Sequence, residues 1–271
     1  MAINVNNLRV FNMTVGAGSN SGGGGESGGG GGGSYTIPIE TSGLQVWWDA
    51  SQYGGSGTTL SDLSGNSNDG TITNAPTYVS DGDKSYFDIS NVNPSANGSH
   101  GITNTNSSYY GIASDASFTI SFWIQGTNSG GDQTAAALRA RSNGVSHKVV
   151  LRSGGTTAYT NVYSPTTSNN TDLFASINYG GGSWMSITTV VDGSANSLKI
   201  YANGSLVDTN SSIADLDGTQ ATVFTIGYNP LDYPYAGPHG LVAKWNNAAL
   251  YNRALSASEV LSNYNALSSR F

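Results

Sequence analysis

Apolar and polar residues alternate along several short segments of this chain, and glycine and asparagine separate those segments. The clearest case is residues 118–124, Phe-Thr-Ile-Ser-Phe-Trp-Ile, in which every second side chain falls on the same face of a β-strand. Residues 184–191 and 198–201 are similar, and Asn203-Gly204 then supplies a two-residue hairpin turn. Because no pattern typical of crossover helices separates these segments, the sequence predicts an all-β, antiparallel fold.

The end of the chain carries further strand patterns and one helix pattern. Residues 223–227 and 240–251 are predicted strands. Ser256 and Glu259 have the spacing of a capping box, which marks the start of a helix. The residues expected to pack this helix against the sheets are Val260, Leu261, Tyr264 and Leu267.

Composition excludes several classes of protein and site. The chain has no cysteine, so disulfides and thiolate metal sites are absent, and a domain of about 230 residues buries enough surface to fold without them. A net charge of -7 argues against nucleic-acid binding, and no segment approaches the roughly 20 apolar residues that span a bilayer. The basic residues that cluster have a spacing that suits the solvent-facing side of a hairpin: Arg139, Arg141, Lys148 and Arg152.

Three parts follow one another along the chain. Residues 16–34 are almost entirely glycine and serine and are expected to form a flexible tether. Residues 35–271 form the predicted domain, and residues 1–15 form an apolar arm that lacks the basic start of a signal peptide. The arm is predicted to anchor the domain, although an N-terminus without any anchoring role is the alternative. Its apolar residues include Ile3, Val5, Leu8, Val10 and Phe11.

A series of motifs resembles one known family. The motifs are, in order, Leu-Gln-Val-Trp-Trp-Asp at 44–49, Asp-Leu-Ser-Gly-Asn at 62–66, Asn-Asp-Gly at 68–70, the strand at 118–123, Tyr-Ala-Asn-Gly at 201–204 and Leu-Tyr-Asn-Arg-Ala-Leu-Ser at 250–256. Together they resemble laminin G-like, concanavalin A-like jelly-roll domains. The resemblance implies a two-sheet antiparallel sandwich with a short C-terminal helix.

The last residues carry a second resemblance. Residues 251–271 are similar to a variant of this domain in structural proteins of marine tailed phages. Many family members have acidic residues just before the Tyr-Asn-Arg-Ala-Leu motif, whereas this chain has Lys244, Asn246 and Asn247. A metal or ligand role that depends on those acids therefore does not transfer.

The sequence offers little for catalysis. Retaining glycosidases generally need two carboxylates about 5 Å apart. The glutamates here are widely separated, at Glu26 in the tether, Glu40 at the domain junction and Glu259 in the helix cap. The histidines at 100, 147 and 239 have no zinc-binding spacing, and no Gly-x-Ser-x-Gly elbow occurs. We therefore predict a protein without enzymatic activity.

One loop has the residue types that a calcium ion prefers. Asp62, Asn66, Asn68 and Asp69 supply carboxylate and amide oxygens within eight positions, and Ca²⁺ is bound by such oxygens. The alternative is that these side chains build turns by bonding to their own backbone. No cofactor is required by the sequence, and calcium is the ion that this loop would hold.

Tyrosine-rich segments are candidates for contact with a glycan or a protein. The main one contains Tyr228, Asn229, Asp232, Tyr233 and Tyr235. Tyr109 with Tyr110, and Tyr159 with Tyr163, are alternatives, while Trp47, Trp123 and Trp184 are predicted to lie in the core because they fall on strands. Tyrosine and asparagine suit both kinds of partner, so the sequence leaves the choice open.

These observations favour a phage virion protein, either a capsid decoration or a short appendage. The arm would bind other virion proteins, and the domain would be displayed in several copies on the virion surface for particle stabilisation or adhesion to glycans. The alternative hypothesis is a free or cell-surface lectin.

Overall fold

The computed structural model describes residues 35–89, 100–106, 108–112, 117–127, 131–140, 146–152, 154–164, 169–213, 221–228 and 240–271. The predicted arm and tether, residues 1–34, lie outside the described residues. A compact unit extends over Ile37–Phe271.

The strands and the helix occur in the following order: β1 (Leu44–Asp49), β2 (Thr59–Leu60), β3 (Gly70–Thr73), β4 (Thr77–Val79), β5 (Tyr86–Asp88), β6 (Gly101–Thr105), β7 (Phe118–Thr127), β8 (Gln133–Ala140), β9 (Ser146–Leu151), β10 (Thr157–Ser164), β11 (Asn169–Ser176), β12 (Gly181–Asp192), β13 (Ser197–Ala202), β14 (Ser205–Asn210), β15 (Ala221–Ile226), β16 (Ala243–Tyr251) and α1 (Ala257–Ser268). Short 3-10 turns occur at Ala50–Gln52 and Tyr109–Gly111.

The strands form two antiparallel sheets. Sheet A has the order β14-β13-β12-β7-β16-β5-β4, with β1 also paired to β16. Sheet B has the order β11-β10-β9-β8-β15-β6-β3-β2. Strands that are distant in sequence are neighbours in both sheets, as in a jelly roll. The predicted fold class is confirmed: a two-sheet jelly-roll sandwich with a short C-terminal helix.

The core lies between the two sheets. The alternating strand at 118–124 forms most of β7, and its apolar residues Phe118, Ile120 and Phe122 are fully buried there. Trp48 in sheet A stacks on Phe224 in sheet B, with ring centroids 5.1 Å apart. Large apolar side chains from both sheets therefore meet, and burial of each contributes about 1.5–3 kcal/mol.

The tryptophan prediction is confirmed for burial at Trp47 and Trp123, which are 1% and 3% exposed, but not at Trp184. Trp47, Trp123 and Trp184 are next to core-facing residues in their strands, so they lie on the opposite face of sheet A. Trp123 is buried there between Tyr264 and Phe271, and Trp184 is only partly buried. The tryptophans that belong to the core between the sheets are Trp48 and Trp245.

The C-terminal helix begins where its capping box predicts. Ser256 Oγ accepts from the backbone N–H of Glu259, and the Glu259 carboxylate accepts from the backbone N–H of Ser256. The buried face of the helix agrees in part with the predicted one, since Val260 and Leu267 are buried. Leu261 is 46% exposed, and Asn263 is buried because its amide donates to Tyr251 Oη.

The predicted Asn203-Gly204 turn joins β13 to β14. Both residues have positive φ values, 49° and 76°, which is the backbone geometry of the favoured two-residue hairpin. Among the described residues, no helix is long and apolar enough to cross a membrane.

Candidate ligand-binding face

The outer face of sheet B carries a group of aromatic and polar side chains. Val149, Val162 and Leu173 point into the core from β9, β10 and β11, so the residues that alternate with them lie on the outer face. Five of these outer residues come from three adjacent strands, and Arg152 directly follows β9. We call this set the platform: Lys148, Arg152, Tyr159, Asn161, Asp172 and Phe174.

Two aromatic rings form the centre of the platform. Tyr159 and Phe174 are cross-strand partners in β10 and β11, and their ring centroids are 5.2 Å apart. Phe174 is 49% exposed, the largest exposure of an aromatic ring among the described large hydrophobic residues. A partly exposed pair of aromatic rings next to polar groups is a candidate contact surface for a ligand or a partner.

A cation lies beside the aromatic rings. Arg152 Cζ is 5.8 Å from the Phe174 centroid, and Arg152 Nε is 3.6 Å from Asp132 Oδ1. The Arg152 and Asp132 side chains are 48% and 39% exposed. An ion pair this exposed contributes little to stability, but it holds the guanidinium next to the ring.

Hydrogen-bonding groups flank the rings on the neighbouring row. Asn161 is the cross-strand partner of Asp172, and its Nδ2 donates to Asp172 Oδ1. Lys148 is the next residue in this row, opposite Asn161 in β9. A carboxylate accepts from hydroxyl groups, while an amide both donates and accepts. Asn161 is only 8% exposed, so its amide orients the exposed Asp172 carboxylate. Together with the apolar rings, this carboxylate can bind the hydroxyls and the C–H face of a sugar.

The structure describes only part of the main tyrosine-rich segment. Tyr228 is 8% exposed, and its hydroxyl hydrogen-bonds Thr103 Oγ1, so little of the ring faces solvent. The other four residues lie outside the described residues: Asn229, Asp232, Tyr233 and Tyr235. Their role as a contact surface stays a prediction.

The two alternative tyrosine pairs differ in outcome. Tyr110 is a core residue, since it is fully buried and its hydroxyl donates to Asn104 O at 3.0 Å. Desolvation by that burial raises the pKa of Tyr110 far above its usual range. Tyr159, in contrast, lies in the platform. Its neighbour Phe174 was not anticipated, although the segment Thr171-Asp172-Leu173-Phe174-Ala175 places an aromatic ring in phase with a polar residue.

The side chains of the predicted calcium loop make hydrogen bonds to backbone groups of the protein. Asp62 Oδ1 accepts from the backbone N–H of Trp47, and Asp62 Oδ2 accepts from that of Asn68, both at 2.9 Å. Asp69 Oδ1 accepts from the backbone N–H of Asp62 at 2.7 Å, and Asn66 Nδ2 donates to Leu44 O at 2.9 Å. These bonds are those expected if the side chains build turns, and calcium binding stays a prediction.

Two glutamates that are distant in sequence meet at one arginine. Arg253 Nη2 is 2.8 Å from Glu259 Oε1 and 3.8 Å from Glu40 Oε1. The hydrogen bond from Arg253, with further bonds from Ser256, lowers the pKa of Glu259 to about 2. A general acid needs a raised pKa, so this arrangement is typical of an ion pair.

The described residues also contain no cluster of side chains that could bind a metal ion. Across the described ranges, no group of three or more histidine, aspartate or glutamate side chains is placed to hold an ion. His147 is buried between the sheets, where its Nε2 lies 2.9 Å from Thr189 Oγ1. The platform is therefore the strongest candidate for contact with another molecule.

Sequence comparison identifies the family. The laminin G profile of the concanavalin A-like lectin/glucanases superfamily matches residues 81–261, about two thirds of the chain. The chain belongs to this superfamily. Because the superfamily includes both lectins and glucanases, membership alone does not separate binding from catalysis. No curated protein matches the sequence.

Solved structures of toxin binding domains share the fold of this superfamily member. The binding domain of Paraclostridial Mosquitocidal Protein 1 aligns with a TM-score of 0.60 and 19% identity, over 83% of this chain and 52% of its own. The binding domain of botulinum neurotoxin serotype D aligns with a TM-score of 0.60 and 15% identity, over 83% and 52%. The chain thus spans about half the length of these structures.

Related toxin domains have been solved with ligands. The binding domain of botulinum neurotoxin DC has been solved in complex with SialylT and in complex with rat synaptotagmin II. These two structures align with TM-scores of 0.58 and 0.57, each at 15% identity, over 84% and 83% of this chain and 52% of their own chains. At identities this low, the structural similarity establishes a shared jelly-roll fold.

Proposed function

We propose that this protein is a non-enzymatic binding module that recognises glycans through the platform on sheet B. One observation carries the proposal: the half-exposed Phe174 ring pairs with Tyr159 and is flanked by the Arg152 guanidinium, the Asp172 carboxylate and the Asn161 amide. Sugars present an apolar C–H face and an edge of hydroxyl groups, and this arrangement provides a partner for each.

The comparisons support binding more than chemistry. The structural neighbours are receptor-binding domains, and their ligands include a sialylated glycan and a protein receptor. The absence of catalysis rests on a second argument, since the two described glutamates are joined by Arg253 and one of them has a lowered pKa. A carboxylate whose pKa is lowered, as that of Glu259 is, is not suited to protonate a leaving group at neutral pH.

The place of display that we propose is a virion surface. Residues 1–15 would bind capsid or tail proteins, residues 16–34 would give reach, and the jelly roll would be presented in many copies. Support comes from the apolar arm, the glycine tract and the resemblance of residues 251–271 to phage structural proteins. Long repeats and coiled-coil heptads are lacking in the sequence, which favours a decoration or a short appendage over a long fibre.

Substitution of Phe174 tests glycan binding. We expect Phe174→Ala to weaken binding of any glycan that the protein captures on an array by about tenfold or more, because the variant removes the central apolar contact. Leu261→Ala is the matched control, since Leu261 is equally exposed but lies on α1, next to sheet A. Affinities would be measured by calorimetry, and circular dichroism would check folding.

Retention of full glycan affinity by a folded Phe174→Ala variant would contradict the assignment of the platform. Failure of the unmodified protein to bind any arrayed glycan would contradict glycan recognition itself. In that case we would assign the exposed Phe174 ring to contact with a protein partner.

A further inference from the structure

Basic residues are unevenly distributed over this acidic protein. The chain carries 10 lysines and arginines against 17 acids. Arg139, Lys148 and Arg152 nevertheless all come from β8, β9 and the residue after β9. Arg139 and Lys148 alternate with the core residues Leu138 and Val149, so they lie on the outer face of sheet B.

The two acids described on the same face do not outnumber these cations. Asp132 pairs with Arg152, and Asp172 bonds to Asn161. Arg139 pairs with Ser146, which is opposite Tyr163, so it lies further along the sheet than the rings of Tyr159 and Phe174. Two basic and two acidic side chains thus lie near the rings. In a molecule with a net charge of -7, a region with balanced charge repels an anion less than the surface does on average.

Arg152 has the geometry to bind an anion directly. Its Nε lies 3.6 Å from Asp132 Oδ1 and its Cζ lies 5.8 Å from the Phe174 ring centroid, so the guanidinium is next to the ring. Within the described part of the chain, neither of its terminal nitrogens makes a hydrogen bond or ion pair. A guanidinium edge of this kind presents two parallel N–H groups that match a carboxylate or a sulfate.

A neutral sugar would make no use of this charge. Its hydroxyls can bond to the Asp172 carboxylate, and its C–H face can pack on the aromatic rings. An anionic group on the sugar ring gains a charge-assisted pair in addition, and such a pair is stronger than a bond between neutral groups.

We infer that the platform is specific for anionic pyranoses, with the carboxylate or sulfate on the terminal nitrogens of Arg152 and the sugar ring against Phe174. This inference rests on the proposed glycan-binding function and adds the class of sugar to it. A sialic acid, a uronic acid or a sulfate ester supplies such an anion, and the same arginine edge binds either a carboxylate or a sulfate.

Matched pairs of sugars test the inference on the full-length protein. The pairs are 3′-sialyllactose with lactose, glucuronate-terminated with glucose-terminated oligosaccharides, and sulfated with unsulfated galactose. We expect the anionic member of at least one pair to bind about tenfold or more tightly, and this advantage to shrink as salt is raised. The pair that shows the difference identifies carboxylate or sulfate as the anion.

Substitution of Arg152 then assigns the selectivity to one side chain. Arg152→Gln removes the charge while keeping a polar side chain of moderate length. We expect it to abolish most of the preference for the anionic sugar, so that the anionic and neutral members of a pair bind with affinities within about twofold of each other. Lys199→Gln, on β13 of sheet A, is the control that loses one charge from the other sheet and leaves the preference unchanged.

Equal affinity for both members of every pair, with Phe174→Ala still weakening both, would overturn the anionic class and leave glycan binding in place. A preference that survives in Arg152→Gln would overturn the role of Arg152. Binding of no sugar at all would remove this inference together with the proposed function.

Discussion

His147 connects the two sheets from inside the core. Its Nε2 lies 2.9 Å from Thr189 Oγ1 in sheet A and 3.2 Å from Thr160 Oγ1 in sheet B. Its ring packs edge-on against Phe118, with centroids 5.2 Å apart. Burial of the ring disfavours the charged form and lowers the pKa of His147 to about 3.

This buried histidine predicts a dependence of stability on pH. The folded pKa is about 3 and the ordinary value is 6.5, so between these values the unfolded chain binds a proton that the folded chain does not. The free energy of unfolding should therefore fall as pH drops below 6.5, by at most about 1.4 kcal/mol per unit. Urea unfolding at pH 7, 6 and 5 would measure the slope.

A His147→Gln variant distinguishes the contribution of His147 to the pH dependence of stability from that of the acidic residues. Glutamine does not titrate, so the slope between pH 6.5 and 5 should largely disappear, although the variant is less stable at pH 7. The lowered pKa of Glu259 acts in the same direction, but only below its ordinary value of 4.5. An unchanged slope in the variant would show that other groups cause the loss of stability.

At the level of single residues, the sequence predicted which residue types could contact a ligand better than it predicted which face of a sheet each residue occupies. Tyr159 was a candidate contact residue from its type alone. Phe174 and Asp172 were not, because a ligand role depends on which side of the sheet each residue occupies. The same limit explains Trp47 and Trp48, since adjacent aromatic residues fall on opposite faces and the pattern does not say which face is the core.

Among the elements, α1 and the residues after it cover the outer face of sheet A. Phe271 stacks between Trp123 and Trp184, with centroids 4.5 Å and 4.6 Å away. Arg270 Nη1 is 2.8 Å from the buried carboxylate of Asp49. These contacts fasten the last residues of the chain to strands β1, β7 and β12.

Removal of the Phe271 ring should therefore loosen this end of the chain. We expect Phe271→Ala to lower the free energy of unfolding by about 1–3 kcal/mol, because two stacked aromatic contacts are lost. Tryptophan emission should shift to longer wavelength as Trp123 and Trp184 become hydrated. Glycan affinity should not change, since the platform is on the other sheet.

Leu261→Ala provides the comparison for this prediction. Leu261 is on the same helix but half-exposed, so its truncation should cost less than about 0.5 kcal/mol. If denaturant unfolding shows that the two substitutions lower the free energy of unfolding equally, the stabilising role of Phe271 between Trp123 and Trp184 is contradicted.

Strands, turns and helices that a short sequence pattern specifies were predictable, and strands without such a pattern were not. The strand at 118–124, the Asn203-Gly204 turn and the capping box of α1 are specified by residues within one or two turns of chain, and all three are confirmed. The β8–β9 hairpin was indicated only by the spacing of its basic residues, and strands β10 and β11 were missed. They contain many alanine, threonine and asparagine residues, so their strand structure depends on pairing with neighbours rather than on their own hydrophobic pattern.

For the whole molecule, the order of motifs predicted the jelly roll but not its binding face. The platform combines residues from three strands with a residue that follows one of them, and the face appears only once β9, β10 and β11 are paired in register. A register shifted by one residue would bury Phe174 and expose Leu173. The site is thus a property of the assembled sheet.

Deletion of residues 1–34 tests how the parts of the chain divide the proposed function. The core and the platform both lie within the compact unit Ile37–Phe271. We therefore expect the shortened protein to keep its melting temperature within a few degrees and to bind a captured glycan with unchanged affinity per molecule. Calorimetry on both proteins would measure these two quantities.

The same deletion should remove the protein from virus particles. Gold-labelled antibody against the domain should decorate the heads or tails of particles that carry the full chain, and should give background labelling with the shortened chain. Labelling that persists without residues 1–34 would place the anchor within the jelly roll. If the protein with residues 1–34 is found only free or on cells, virion display is contradicted and a lectin is favoured. That result would leave the proposed glycan site on the platform untouched, because the binding measurements test that site separately.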